Sequence, residues 1–251
     1  QPLCQFDDFS SYGTGNTVVG STLPYEYTVD FTFGTPNTTT SATQNATSQL
    51  ALSNTGLTTD LYGIQRHFGL DNVLDFSTTY ATASFLSVDL VSVSSGDLDV
   101  KFGLTVQNST IVPNYESAAI HIVKTASNSH DLDFVRQTTS GPQTVNISTG
   151  VTSANIIKNY KIAFYDPSLS GPPGRAEFEW KVLFDDVIVL ESLTGATRNY
   201  SKMVFASTGT NWCEDFVVFL HHNAASMLGT VPGTIWDNLA ISVNGNVACI
   251  P

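Results

Sequence analysis

The chain has 251 residues, 41% of them hydrophobic and only 13% charged, and its 22 acidic and 10 basic side chains leave a net charge of −12. A charged fraction of about 25% is ordinary; Ser and Thr fill the difference here, so hydroxyls rather than ions solvate the surface. The acidic balance repels nucleic acid and anionic membranes, and no apolar run approaches the roughly 20 residues a bilayer-spanning helix needs, which leaves neutral sugars and Ca²⁺ as compatible partners.

Strand signals rich in β-branched and aromatic residues recur along the chain over residues 25–33, 83–93, 98–106, 118–124, 160–165, 176–184, 187–190, 216–220 and 235–243. Between them stand turn signals such as Ser95-Gly96-Asp97, Ser140-Gly141-Pro142, Gly171-Pro172-Pro173-Gly174 and Asn244-Gly245-Asn246. The Thr/Ser-rich stretch 35–48 reads as an exposed loop, and the only helical turns expected lie in 60–68 and 223–228. The clearest hairpin runs from Ala176 to Phe184, turns at Asp185-Asp186 and returns through Val187-Ile188-Val189-Leu190. Its first strand puts Ala176, Phe178, Trp180, Val182 and Phe184 on one face and Arg175, Glu177, Glu179 and Lys181 on the other. Many antiparallel strands of this two-faced kind predict an all-β fold, an antiparallel two-sheet β-sandwich or jelly roll, as one domain over residues 1–251.

The closing run Thr234-Ile235-Trp236-Asp237-Asn238-Leu239-Ala240-Ile241-Ser242-Val243 alternates so that Ile235, Asp237, Leu239, Ile241 and Val243 share one face. A carboxylate among inward apolar residues costs several kcal/mol unless it is hydrogen-bonded or bound to a cation, to judge by roughly 2–7 kcal/mol for an unpaired polar group. Asp237 is therefore expected to be a hydrogen-bond hub or a metal ligand.

Three cysteines allow three pairings. The first and last strands of a sandwich are commonly neighbours, so Cys4–Cys249 is the expected bridge, with Cys213 as the odd, buried thiol. A disulfide implies an oxidising compartment, and with no apolar leader ahead of Gln1 the chain reads as a mature secreted protein. Five Asn-x-Ser/Thr sequons, at Asn37, Asn45, Asn108, Asn146 and Asn199, permit N-glycosylation.

The opening Phe6-Asp7-Asp8-Phe9-Ser10-Ser11-Tyr12, the hairpin from Trp180 to Val189 and the closing Trp236-Asp237-Asn238-Leu239-Ala240-Ile241 together resemble the concanavalin A-like and laminin-G-like jelly rolls. That superfamily includes secreted proteins that bind or cleave glycans. Members that hold a structural Ca²⁺ between first and last strands imply Asp8, a carbonyl near Gly13 and Asp237 as its ligands here. Sugar-cleaving members related to the laminarinases carry Glu-x-Asp-x-x-Glu on one strand. This chain has Glu177-x-Glu179-x-x-Val182, which implies Glu177 and Glu179 as the carboxylate pair. Jelly-roll alginate lyases are similar in the order of their motifs, an Arg strand, then Gln-Ile-His, then Tyr-Lys-Ala-Gly-x-Tyr, represented here by Arg66, by Ala119-Ile120-His121 and by Tyr160-Lys161-Ile162-Ala163-Phe164-Tyr165. In that reading His121 and Tyr165 move protons while Arg66 and Lys161 neutralise a uronate.

Aromatic residues in loop-like segments, among them Tyr62, Tyr115, Tyr200 and Trp212, are candidates for stacking on sugar rings. No Ser-His-Asp spacing, phosphate-cradling glycine loop or Cys-x-x-Cys occurs. The expectation is a secreted carbohydrate-recognising jelly roll acting on or binding an extracellular polysaccharide. A hydrolase or lyase, or a self-assembling structural subunit of an extracellular matrix or fibre, are the alternatives.

Overall fold

The structure is a computed structural model that describes residues 4–20, 27–29, 40–54, 61–67, 76–93, 99–108, 112–169, 175–206, 216–223 and 232–242. In chain order the strands are β1 (Cys4–Asp7), β2 (Thr28–Val29), β3 (Thr40–Gln44), β4 (Leu50–Asn54), β5 (Leu61–His67), β6 (Ser84–Val93), β7 (Asp99–Asn108), β8 (Val112–Ala126) and β9 (Ser129–Thr138). They continue with β10 (Gly141–Val151), β11 (Asn159–Leu169), β12 (Arg175–Phe184), β13 (Val187–Glu191), β14 (Leu193–Thr194), β15 (Thr197–Arg198), β16 (Met203–Ala206), β17 (Phe216–Asn223) and β18 (Pro232–Ser242). Among the described residues the only helical turn is the 3₁₀ segment Tyr80–Thr82.

Two large sheets, antiparallel throughout, carry the fold. One has nine strands in the order β13-β12-β11-β6-β18-β4-β3, with β1 added to β18 and β16 to β12; the other has seven, β10-β9-β8-β7-β17-β5-β2. The inner faces meet in one core. Leu86, Val88, Ile162, Phe164, Phe178, Trp180 and Trp236 come from the nine-stranded sheet, and Phe102, Leu104, Ile120, Ile122, Leu132 and Phe134 from the other. Phe134 lies 4.7 Å from Trp180 and Phe102 lies 6.4 Å from Trp236, so both tryptophans join the layers. Truncating Trp180, which is fully buried, removes a side chain whose loss costs about 3–5 kcal/mol.

The hairpin expected at 176–190 forms as read. Asp185 and Asp186 both have positive φ, 48° and 62°, which matches the primed turn whose twist suits a two-residue hairpin. The first and last strands are also neighbours, with Cys4 opposite Ser242 and Asp7 opposite Leu239. Cys213 and Cys249 lie outside the described residues.

Three expectations are corrected. The segment expected to contain a helical turn at 60–68 is strand β5, whose backbone pairs with β17 from Leu61–Asn223 to His67–Val217; ladder bonds on that side outweigh a weak local preference. The stretch 35–48 is not loop throughout, because Thr40–Gln44 pairs with β4 and only residues 45–49 make the turn; β-branched Thr suits a strand as well as it suits a polar surface. The third concerns Asp237. Asn238 adopts φ 52° and the pairing of β18 with β6 shifts register between Asp237 and Ala240. That bulge reverses the alternation, as an extra residue in a strand must. Trp236 points into the core before it, Leu239 and Ile241 after it, and Asp237 is left on the outer face.

The β9–β10 hairpin was not among the expected strands. β9 alternates strictly, with His130, Leu132, Phe134, Arg136 and Thr138 inward. Arg136 is 1% exposed and pins the layers together. Its guanidinium lies over Trp180 at 5.1 Å and Tyr200 at 5.5 Å, and its Nε donates to the Ser201 carbonyl.

Candidate functional site

Strand alternation that buries Phe178, Trp180 and Val182 turns Glu177, Glu179, Lys181 and Leu183 to the outer face of the nine-stranded sheet. In the same way β11 presents Lys161, Ala163 and Tyr165, and β6 presents Phe85, Ser87 and Asp89. The registers line these up in rows across the strands. Tyr165 stands opposite Glu179; Phe85, Ala163, Lys181 and Glu191 form the next row; Ser87, Lys161, Leu183 and Ile188 the next; Asp237, Asp89 and Asn159 the last.

The middle of this face is apolar and aromatic. Ala83, Ala163, Tyr165 and Leu183 make a small cluster of their own, with Phe85 packed against it. Tyr80, on the 3₁₀ turn and 36% exposed, leans over the cluster with its ring 5.8 Å from that of Tyr165. Lys181 Nζ sits 4.4 Å from the Tyr80 ring and Lys161 Nζ 5.2 Å from the Phe85 ring, both in cation–π range. Burial, followed by the charges of Glu179 and Glu191, raises the Tyr165 phenol above its ordinary value, so it stays protonated at neutral pH.

Carboxylates hold the cations around this patch. Lys161 pairs with Asp186 and Lys181 with Glu191. Glu179, 2% exposed, takes Arg198 Nη2 on Oε1 at 2.6 Å and the Ser192 hydroxyl on Oε2 at 2.7 Å, with Lys202 3.7 Å away. Burial alone would raise the Glu179 pKa, but the bonds from Arg198 and Ser192 and the charges of Arg198 and Lys202 hold it below the usual carboxylate value. The hydrogen bond from Lys181, then that from Thr194, lowers Glu191 likewise. Beyond Glu191 an open groove of about 620 Å³ runs between β13 and residues 198–200, lined by Ile188, Leu190, Arg198, Asn199 and Tyr200 among others.

The residues nominated from the sequence are divided between surfaces. Glu177, Glu179, Lys161 and Tyr165 share the outer face just described. His121 faces outward from the seven-stranded sheet, in register with Lys101 on one side and Asp133 on the other. His121 and Tyr165 therefore stand on different sheets, and the structure does not bring them together as a proton-transfer pair. Tyr62 and Arg66 lie on β5 of that second sheet, and their side chains, like that of Cys4, are outside the described part, as are Trp212 and Asn37 altogether. Of the sequons, Asn45 opens the β3–β4 turn, Asn146 is exposed on edge strand β10 with its amide on Asp133, Asn199 borders the groove with its amide on Thr194, and Asn108 ends β7. Tyr80, Phe85 and Arg198 were not singled out. Only the register, which sets Phe85 beside Ala163 and Lys181, shows that they belong to one surface.

The donors nominated for Ca²⁺ are engaged within the protein. Asp8 Oδ1 accepts from the Ser10 backbone and hydroxyl, and the Gly13 carbonyl accepts from Asn16. Asp237 accepts from Gln49 at 3.1 Å and from its neighbour Asn238 at 2.8 Å. Burial, with Asp89 and Asp8 adding to it, raises the Asp237 pKa. Among the described residues no three His, Cys, Asp or Glu side chains gather where an ion could sit. The buried acid near the first strand is instead Asp7, 2% exposed, which accepts the hydroxyls of Tyr12 and Tyr27 and the Phe9 amide.

Fold and face together define an all-β sandwich with a furnished outer sheet. No family model matches the sequence, and no curated relative matches it. Among solved structures the chain is similar to an endo-acting O-glycanase from the human gut microbiota described as initiating mucin breakdown, at 10% identity and TM-score 0.46 over 96% of this chain and 98% of that one. It is similar to the CBM2 module of the evolved Dit of Lactobacillus casei BL23 phage J-1 at 10% identity and TM-score 0.44, covering 96% and 95%. It is also similar to Bacillus licheniformis β-glucanase at 11% identity and TM-score 0.39, covering 96% and 97%. At these identities and scores the likenesses carry no activity over to this chain.

Proposed function

We propose that this is an extracellular carbohydrate-recognising β-sandwich protein that binds a polysaccharide on the outer face of its nine-stranded sheet. One observation carries the reading. Tyr80 and Phe85 lie against the apolar cluster of Ala83, Ala163, Tyr165 and Leu183 and are ringed by the ion pairs Lys161–Asp186 and Lys181–Glu191. Sugars are held in this manner, with a C–H face on an aromatic ring and charged or polar groups on the hydroxyls. The hydroxyl-rich composition supports an extracellular setting, and the sequons Asn45, Asn146 and Asn199 permit glycosylation there.

A polysaccharide microarray, followed by isothermal titration with the best ligand, tests the reading. Tyr80→Ala is expected to weaken binding about tenfold, the equivalent of roughly 1.4 kcal/mol. An array that stays blank, or a Tyr80→Ala protein that binds unchanged, removes this face from the function. Sizing the products after incubation separates binding from cleavage. Glu177 and Glu179 share the face, so if a polysaccharide is shortened, Glu177→Gln is expected to stop it.

A further inference from the structure

We infer that the ligand of this face is an electrically neutral polysaccharide, and that uronate-bearing or sulfated chains are rejected by it. The inference rests on the glycan reading above and narrows it.

An acidic sugar is recognised when a cation with bonding capacity to spare meets its carboxylate or sulfate, ideally the planar fork of an arginine. Each cation whose side chain is described on this face already has a carboxylate partner; the side chain of Arg175, which alternation places at the end of the same face, lies outside the described part. Lys161 is on Asp186, Lys181 on Glu191, and Arg198 directs both terminal nitrogens to Glu179, at 2.6 and 3.3 Å. Lys202 lies 3.7 Å from both Glu179 and Asp166. Drawing Arg198 away to a ligand would strand Glu179, which is 2% exposed and too buried to be rehydrated cheaply.

The same face carries further carboxylates bonded by no cation among the described residues. Asp237 takes Gln49 and Asn238, Asp89 takes Asn159 and Asn238, and Glu177 stands opposite Val204. Among the described side chains of this face four cations thus meet seven carboxylates, and that balance has the sign of the whole chain, whose net charge is −12. A polyanion approaching it meets repulsion with no compensating contact from the described side chains. A neutral pyranose meets none, and carboxylate and ammonium groups held in pairs offer acceptors and donors to its hydroxyls.

Affinity electrophoresis in gels containing mixed-linkage β-glucan, galactomannan or arabinoxylan, compared with alginate, polygalacturonate or chondroitin sulfate, tests this. Each gel is run at low ionic strength and again at about 0.3 M salt, where the Debye length is below ~8 Å and the overall repulsion is largely screened. Retardation by at least one neutral polymer, unchanged by salt, and none by the acidic polymers at either salt is the expected result. Glu191→Gln, which releases Lys181, is expected to create measurable retardation by an acidic polymer. Retardation of the unaltered protein by an acidic polymer, alone or equal to that by neutral ones, overturns the inference and leaves the glycan reading standing. Retardation by neither kind withdraws the glycan reading, and this inference with it.

Discussion

Glu179 holds a negative charge almost wholly out of water, and the arrangement around it sets a pH dependence whose sign is fixed. Its folded-state pKa lies below the ordinary 4.5, so the fold favours the ionised form. The stability this contributes is fully present above that value and is lost as pH falls through the folded one. Thermal melting followed from pH 7 to pH 3 is expected to show a decline that is shallower in Glu179→Gln. At pH 7 the variant is expected to be destabilised by about 1–3 kcal/mol, because it leaves Arg198 without its anion; an identical pH profile would mean that Glu179 is not the titrating group. Asp237 has the opposite sign, since burial raises its pKa. Its ionisation opposes folding as pH rises, so Asp237→Asn is expected to melt no lower than the parent at neutral pH. Adding Ca²⁺ or a chelator to the parent is expected to leave its melting temperature unchanged; a rise with Ca²⁺ that Asp237→Asn abolishes would place the ion in this corner.

Two glycine-like positions set the shape of individual strands. Gly103 on β7 lies so close to β8 that an added Cβ would stand 2.1 Å from the Ala118 carbonyl oxygen and 2.5 Å from the Ala119 Cα. Those are backbone atoms and cannot swing aside. Gly103→Ala is expected to cost about 1–3 kcal/mol as the strands shift apart, measured as a lower urea midpoint with unchanged slope. In β18, Asn238 holds φ 52° and its amide donates to Asp89. Asn tolerates that backbone and β-branched residues do not, so Asn238→Val is expected to cost about 1–3 kcal/mol and Asn238→Gly clearly less. Equal losses would show that the Asp89 bond, not the backbone, matters there. Residues Asp185 and Asp186 could be read as a turn because two polar residues separated two clean alternations, whereas the Asn238 bulge could not. Nothing local distinguishes a strand that continues from one that slips by one residue, and the choice fell to the pairing with β6.

At the scale of the molecule, the pairing of β1 with β18 brings the first strand beside the last. A Cys4–Cys249 bridge would close nearly the whole chain and stabilise it by roughly 2–4 kcal/mol. Peptide mapping without reduction is expected to recover those two cysteines in one linked pair and Cys213 as a free thiol; any other pairing would refute the assignment. The same antiparallel stacking gives each sheet its own outer face, which is why residues close in a motif scheme are apart in space. His121 faces out from one layer and Tyr165 from the other, while Glu177 and Glu179, two apart on one strand, necessarily share a face.

Period-two alternation by itself determined the all-β class, the hairpin at 176–190 and the inward turn of Trp180, because a pleated strand sends neighbouring side chains to opposite sides whatever surrounds it. Composition alone set the sign of the molecule's field. Tertiary pairing decided the rest. It made residues 61–67 a strand, moved Asp237 to the outside through a one-residue slip, and gathered Tyr80, Phe85, Tyr165 and their ion pairs onto one surface. Register between strands distant in sequence is fixed by the joint burial of both sheets, and no single segment contains that information.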